Sequence, residues 1–150
     1  MSVSLRLAIK ADVPEILSLV QELALYEKAP EQVTNTLEKM EEDGFGSHPI
    51  FQTILAETPE DGIVGMSLYY FRYSTWKGKR LYLEDLIVRE KFRGCGYGKL
   101  LFNATVEKAK ETNCTGMMWQ VLDWNKPAID FYKTYGTRFD EEWLNCHLDF

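Results

Sequence analysis

One stretch of this chain is spaced for chemistry before any fold is considered. In VREKFRGCGYGKLL, Val88 to Leu101, Gly94, Gly96 and Gly98 fall within five residues behind Arg93 and ahead of an apolar run. Glycine at that density is costly in a helix or strand, because it loses more backbone entropy on folding than any other residue. Its use is to let backbone N–H groups approach an anion with no Cβ in the way, and a helix N-terminus adds partial positive charge. A pyrophosphate suits such a cradle; a tight strand-to-helix turn without a ligand also accounts for it. Two common nucleotide loops do not fit. Arg93 stands where a P-loop has its first glycine, and Leu100 where Ser or Thr holds magnesium. Gly94-Cys95-Gly96 begins like a dinucleotide fingerprint, but Gly98 comes one residue early. What remains is R-x-x-G-x-G, filled by Arg93, Gly96 and Gly98.

The elements that must position this loop follow from hydropathy patterning. Leu5, Leu7 and Ile9 alternate with polar or small residues, which reads as a half-buried strand over Ser4 to Ile9. Asp12 precedes Glu15 in a capping-box arrangement, and Ile16, Leu17, Val20, Leu23 and Ala24 continue a helix to about Tyr26. Pro30 breaks that pattern, and a shorter helix is expected from about Asn35 to Glu42. Ile50 to Glu57, Ile63 to Tyr73 and Arg80 to Val88 have strand composition with turn signals between them, the pattern of an antiparallel meander. After the glycines a helix runs to about Asn113. Gly116 to Val121 reads as a strand, Pro127 to Tyr135 as a short helix, and Trp143 to Phe150 as a last strand. The expected order is β-α-α-β-β-β-α-β-α-β, an α/β arrangement with helices on the faces of a mixed sheet.

Composition narrows the class. The 150 residues suffice for a single domain, 1–150, with a sizeable core, and an apolar fraction of 45% belongs to a packed globule. The formal net charge of -6 argues against nucleic acid as a partner. Cys95, Cys114 and Cys146 are too scattered for a disulfide framework, and His48 and His147 stand alone, so no metal is expected. The start, MSVSLRLAIK, turns polar too soon for a signal peptide, and no apolar run is long enough to span a bilayer. A cytoplasmic protein with no membrane partner is expected.

The flanks of the loop carry a resemblance. Arg93 to Gly98 resembles the acetyl-CoA loop of the GNAT superfamily of N-acetyltransferases. Tyr82 to Val88 (YLEDLIV), Leu23 to Val33 (LALYEKAPEQV), Glu42 to Pro49 (EDGFGSHP) and Leu122 to Lys133 (LDWNKPAIDFYK) are similar to its diamine acetyltransferase branch. That branch covers spermidine/spermine and thialysine N-acetyltransferases, and the likeness runs from about Leu5 to Tyr135. It implies a GNAT fold, with a mixed and mostly antiparallel sheet of six to seven strands flanked by about four helices. It also implies acetyl-CoA as co-substrate, a small-molecule amine as acceptor, and a homodimer. Relatives use C-terminal segments near the dimer interface, whereas this sequence ends at Phe150, directly after the last expected strand.

Transfer of an acetyl group to an amine requires that the amine lose a proton, that the thioester carbonyl be polarised, and that the departing thiolate gain a proton. By the resemblance, Glu84 binds and deprotonates the amine, directly or through water. Asp85, by strand alternation, is expected on the opposite face. Leu86, Ile87 and Val88 would pair with the pantetheine arm, and the N–H near Leu86 would polarise the carbonyl. Arg93, Gly94, Cys95, Gly96, Tyr97, Gly98 and Lys99 would cradle the pyrophosphate, with Asn125, Pro127 and Ala128 completing the cofactor contacts. Tyr132, at the FYK position, would be the general acid. Tyr26, Glu27, Trp119 and Gln120 join Glu84 in the acceptor site, and Glu27, Glu84 and Asp123 are candidates for an acidic mouth that favours cations. No role is assigned to Cys95 beyond its place in the loop.

Ser74 in YSTWKG stands where polyamine-selective members tend to carry an acid. YSTWKG and LDWN therefore lean toward a thialysine-like acceptor, with polyamines as the nearer rival. The reaction expected is direct attack of the amine on the thioester. Two alternatives remain at this point: a coenzyme A-binding sensor without turnover, and a protein lysine or N-terminal acetyltransferase.

Overall fold

The computed structural model describes residues 2–150. They form two compact units, one running to Gln120 and one from Val121 to Phe150. The first contains β1 (Ser4–Leu7), α1 (Val13–Tyr26), α2 (Leu37–Phe45), β2 (Gln52–Thr58), β3 (Gly62–Ser74), β4 (Gly78–Val88), α3 (Tyr97–Glu111) and β5 (Met117–Trp119). The second contains α4 (Lys126–Lys133). The strands make one sheet in the order β1-β2-β3-β4-β5, antiparallel from β1 to β4 and parallel between β4 and β5.

The sheet has five strands among the described residues, not the six to seven expected. Trp143 to Phe150 does not form the anticipated last strand. A strand needs a ladder to satisfy its N–H and C=O groups, and this segment finds none, leaving Trp143, Leu144, Leu148 and Phe150 exposed. Strand β1 corrects another expectation. Its alternation is real, but Leu5, Leu7 and Ile9 are on the exposed side. Arg6 turns inward instead, where Nη1 reaches Asp12 at 2.8 Å and Nε reaches Glu57 at 2.8 Å. The proposed capping box is also replaced. Asp12 accepts from Arg6 and from the Ile9 N–H, while Glu15 pairs with Arg89.

Each face of the sheet is closed by its own helices. Val13, Ile16 and Leu19 of α1 and Met40 of α2 pack on Leu55, Met66, Leu68 and Ile87. Burying each such aliphatic side chain contributes about 1.5–3 kcal/mol. On the other face Phe102 of α3 meets Trp119 edge-on, with ring centroids 5.3 Å apart. There a buried relay tethers α3 to β3: Ser67 and Thr105 hydroxyls lie 2.6 Å apart, and Thr105 donates to the Leu101 carbonyl at 2.8 Å. With the Thr105 proton committed to Leu101, Ser67 must be the donor to Thr105.

That direction makes the two ends of the relay unequal. Thr105→Val strands the buried Ser67 donor and is expected to cost about 1–3 kcal/mol, whereas Ser67→Ala leaves Thr105 bonded and should cost under about 1 kcal/mol. Urea midpoints of the two variants measure the difference; equal losses would reverse the assigned direction.

Candidate active site

The site begins with a counting irregularity in β4. Leu68 of β3 stands opposite Asp85, and the next residue, Tyr69, stands opposite Leu83, so Glu84 is an extra residue in β4. Residues directly opposite one another share a face, and Leu68 and Tyr69, being consecutive, point to opposite faces. Leu83 and Asp85 therefore lie on opposite faces, although regular alternation would put them on the same one. This is a β-bulge, a device that re-aims side chains. The expectation that Asp85 faces away from Glu84 is overturned by it. Leu81 and Leu83 join the α3 face, and Asp85 and Ile87 join the α1 face.

Glu84 is exposed and accepts from the Tyr70 hydroxyl at 3.1 Å. Tyr70 packs on Tyr82 at 5.3 Å between ring centroids. Asp85 is half-buried beside it. Burial raises the Asp85 carboxyl to about 7, with the charges of Glu84 and Glu27 adding to the effect. Glu27, at the C-terminal end of α1, is itself raised by burial. Burial, then the Glu84 carboxylate, raises Tyr70 to about 12, and the same two causes raise Tyr82. The local field is thus acidic enough to favour a cation and to hold protons on neighbouring groups. Sequence patterning missed Asp85, Tyr70 and Tyr82; the only visible signal was the adjacent carboxylate pair.

Helix α1 is fixed against this strand by Arg89. Its Nε donates to the Ile63 carbonyl at 3.0 Å, and its two amino groups reach Glu22 at 3.1 Å and Glu15 at 2.6 Å. Further along α1, the Tyr26 ring carries the Arg93 guanidinium at 4.9 Å. Arg93 also donates to the Val88 carbonyl at 2.9 Å. The end of α1 and the start of the glycine loop are therefore tied together.

Strand β4 has an open edge. It pairs with β5 only from Leu81 to Leu83 against Met117 to Trp119, and among the described residues no strand flanks that edge from Glu84 to Val88. Leu86, Ile87 and Val88 thus present backbone without a ladder on that side. The edge leads into the loop, where Gly94 and Gly96 have φ of 80° and 85°, a left-handed conformation that favours glycine. Gly98 lies in the helix, and a Cβ there would meet only Val88 Cγ2 at 3.8 Å, so packing within the chain does not require glycine. Helix α3 starts at Gly96 with no side-chain cap and no acidic residue in its first turn, which contains buried Tyr97 and exposed Lys99. An uncapped helix start with backbone open on its approach fits a phosphate-bearing group. Cys95 is exposed within the loop.

Of the remaining sequence candidates, Trp119 packs on Phe102 on the α3 face, and Gln120 follows it, exposed. In the second unit, Asn125 caps α4 by accepting from the Ala128 N–H at 3.3 Å, and Pro127 sits in the first turn. Tyr132 lies edge-on to Phe131, and its carbonyl accepts from the Thr137 hydroxyl at 2.7 Å. Asp123 precedes this helix, exposed.

Residues 15–137 match the family model described as acetyltransferase (GNAT) family. The chain is 43% identical over 144 residues to a Sus scrofa protein named thialysine N-epsilon-acetyltransferase, covering 91% of this chain and 85% of that protein. A Caenorhabditis elegans protein of the same name is 38% identical over 140 residues, covering 90% and 84%. The solved structure of a possible acetyltransferase from Clostridium difficile 630 has the same fold, with a TM-score of 0.83 over 100% of both chains at 20% identity.

Crowding of Asp85 has a consequence for stability. Because its carboxyl holds a proton more tightly in the folded chain, stability falls as pH rises from about 4 to about 7 and then levels. Asp85→Asn removes that dependence. Relative to the parent it should gain about 2–4 kcal/mol at pH 8 and almost nothing at pH 4. Urea unfolding across this range tests the sign, and a difference that does not change with pH contradicts it.

Proposed function

Because the chain belongs to the acetyltransferase (GNAT) family and is an N-acetyltransferase, we propose that its acceptor is a small diamine-like amine of the thialysine or lysine type. GNAT acetyltransferases take their acetyl group from acetyl-CoA. The observation that carries the acceptor reading is the grouping of Glu84, Asp85 and Glu27 at the bulge where the open edge of β4 begins. The names of the pig and worm relatives support the thialysine assignment over polyamines, as does Ser74 in YSTWKG.

On this reading acetyl-CoA, when bound, supplies the thioester. The open backbone of Leu86, Ile87 and Val88 would hold its arm, and the N–H near Leu86 would polarise the carbonyl. Arg93, Gly94, Cys95, Gly96, Tyr97, Gly98 and Lys99 would hold the pyrophosphate, with Asn125, Pro127 and Ala128 on the arm. Glu84, Glu27 and Tyr26 receive the ammonium, and Gln120 completes the acceptor site, whereas Trp119, expected there, packs on Phe102 on the opposite face of the sheet. Glu84 shares the task of taking the proton with Asp85, whose raised affinity for protons suits a base working near neutrality. The neutral amine then attacks the thioester directly. The Tyr132 phenol, an O–H donor, gives its proton to the departing thiolate. Both units act as one acetyltransferase domain in this scheme. The same reading has the protein work as a cytoplasmic homodimer; among the described residues no helix is long and apolar enough to cross a membrane.

Coenzyme A release from acetyl-CoA, measured with thialysine, lysine, putrescine, spermidine and a lysine peptide, tests the proposal. Thialysine or lysine should give the highest kcat/KM, and Tyr132→Phe should lower kcat by about 10²–10⁴-fold. Acetyl-CoA binding without release for any amine would replace this reading with a coenzyme A sensor. A preference for the peptide would point to a protein acetyltransferase.

A further inference from the structure

The face that carries Glu84 also carries a cation. Arg72 of β3 stands opposite Arg80, and Tyr70 opposite Tyr82, so these four share one face of the sheet with each other and with Met118, the β5 partner of Tyr82. The Arg72 guanidinium lies over the Tyr82 ring at 5.8 Å from its centroid and reaches the Met118 sulfur at 2.9 Å. Its charge pulls against that of Glu84 on both Tyr70 and Tyr82. A carboxylate and a guanidinium thus flank one tyrosine pair.

Arg72 differs from the other arginines that bear on the fold. Arg6 is paired with Asp12 and Glu57, and Arg89 with Glu15 and Glu22. Arg93 is held by Tyr26 and the Val88 carbonyl, and Arg80 donates to the Met117 carbonyl. Among the described residues Arg72 has no carboxylate within ion-pair distance, and its one polar contact is a thioether, a weak acceptor. A guanidinium so placed keeps its fork of donors for another carboxylate.

We propose that Arg72 is the specificity-determining residue of the acceptor site, binding a carboxylate on the amine that Glu84 receives. The acceptor is then an amino acid with a side-chain amine rather than a plain diamine or polyamine. Spacing agrees: Arg72 lies about 7 Å further along β3 than Tyr70, the residue that bonds Glu84. The side-chain nitrogen and carboxylate of an extended lysine-like molecule are separated by a similar distance, on the order of 7 Å. The same cation repels the second ammonium of a diamine, so it acts through both attraction and exclusion. This inference rests on the small-amine reading above and names the group that divides its candidates.

Thialysine and bis(2-aminoethyl) sulfide, which differ by the carboxylate alone, are the matched probes. In the parent protein thialysine should have the higher kcat/KM. Arg72→Gln should lower kcat/KM for thialysine at least 10-fold through KM with kcat nearly kept, and raise that for the sulfide diamine a few-fold. Arg72→Glu should reverse the preference. Titration calorimetry of both probes with coenzyme A present repeats the comparison without turnover. Carboxylate preference in binding that vanishes in Arg72→Gln supports the proposal even if no acetylation occurs, in which case only the enzymatic reading falls. Acetylation with equal loss for both probes in Arg72→Gln, or no carboxylate preference in the parent, overturns the role of Arg72 and leaves the enzymatic reading standing.

Discussion

The arrangement depends on one extra residue in β4. Without the bulge at Glu84, Asp85 would share the α3 face with Leu83, and Ile87 would leave the core that α1 and α2 close. A slip of one residue exchanges every side chain between faces. Here the exchange is confined to the point where the strand passes from packing to chemistry. Hydrophobic residues on both sides of the bulge fix it: Leu81 and Leu83 are buried toward α3, and Ile87 toward α1. Neither half of β4 can shift to a regular register without exposing one of these sets, so the cost of the bulge is met by burial on both faces.

Arg89 makes the bulge useful. By joining the Ile63 carbonyl to Glu15 and Glu22 it sets where α1 lies across the sheet, and so where Glu27 comes relative to Asp85. The Tyr26–Arg93 stack continues that tie into the glycine loop. The carboxylate group and the anion cradle are thereby set from the same helix, although they would serve groups of opposite charge. An acceptor ammonium and a cofactor phosphate can then be oriented by one rigid element rather than by separate loops.

The order and kind of the α-helices and strands were legible in the sequence, except for the strand expected at Trp143 to Phe150, because period-2 runs, the Gly94 to Gly98 cluster and the Asn125–Pro127 start are local signals. Sequence patterning misjudged features that depend on partners far along the chain. Leu5, Leu7 and Ile9 looked like an inward face, but β1 lies at the sheet edge, where Arg6 gains more by meeting Asp12 and Glu57. Trp143 to Phe150 has strand composition, yet composition cannot supply a ladder partner. Asp85 was misplaced because alternation counts residues within one strand, while a bulge is defined only against the neighbouring strand. For the same reason Arg72 drew no notice: a residue in a strand becomes part of a site through what stands beside it.

Burying Asp85 between Glu84 and Glu27 makes the folded state bear a cost that appears only when Asp85 ionises. On the proposed reading, an arriving ammonium removes that cost, since a cation among the three carboxylates favours the ionised form. Substrate binding and proton uptake are then linked with opposite sign: the ammonium lowers the proton affinity of Asp85, and loss of the amine proton restores it. A base governed in this way is weakest while the charged amine is held and strongest once the amine is neutral, so the proton, once taken, is held while the neutral amine attacks. The open edge of β4, beginning at the bulge itself, is where the geometry would allow that.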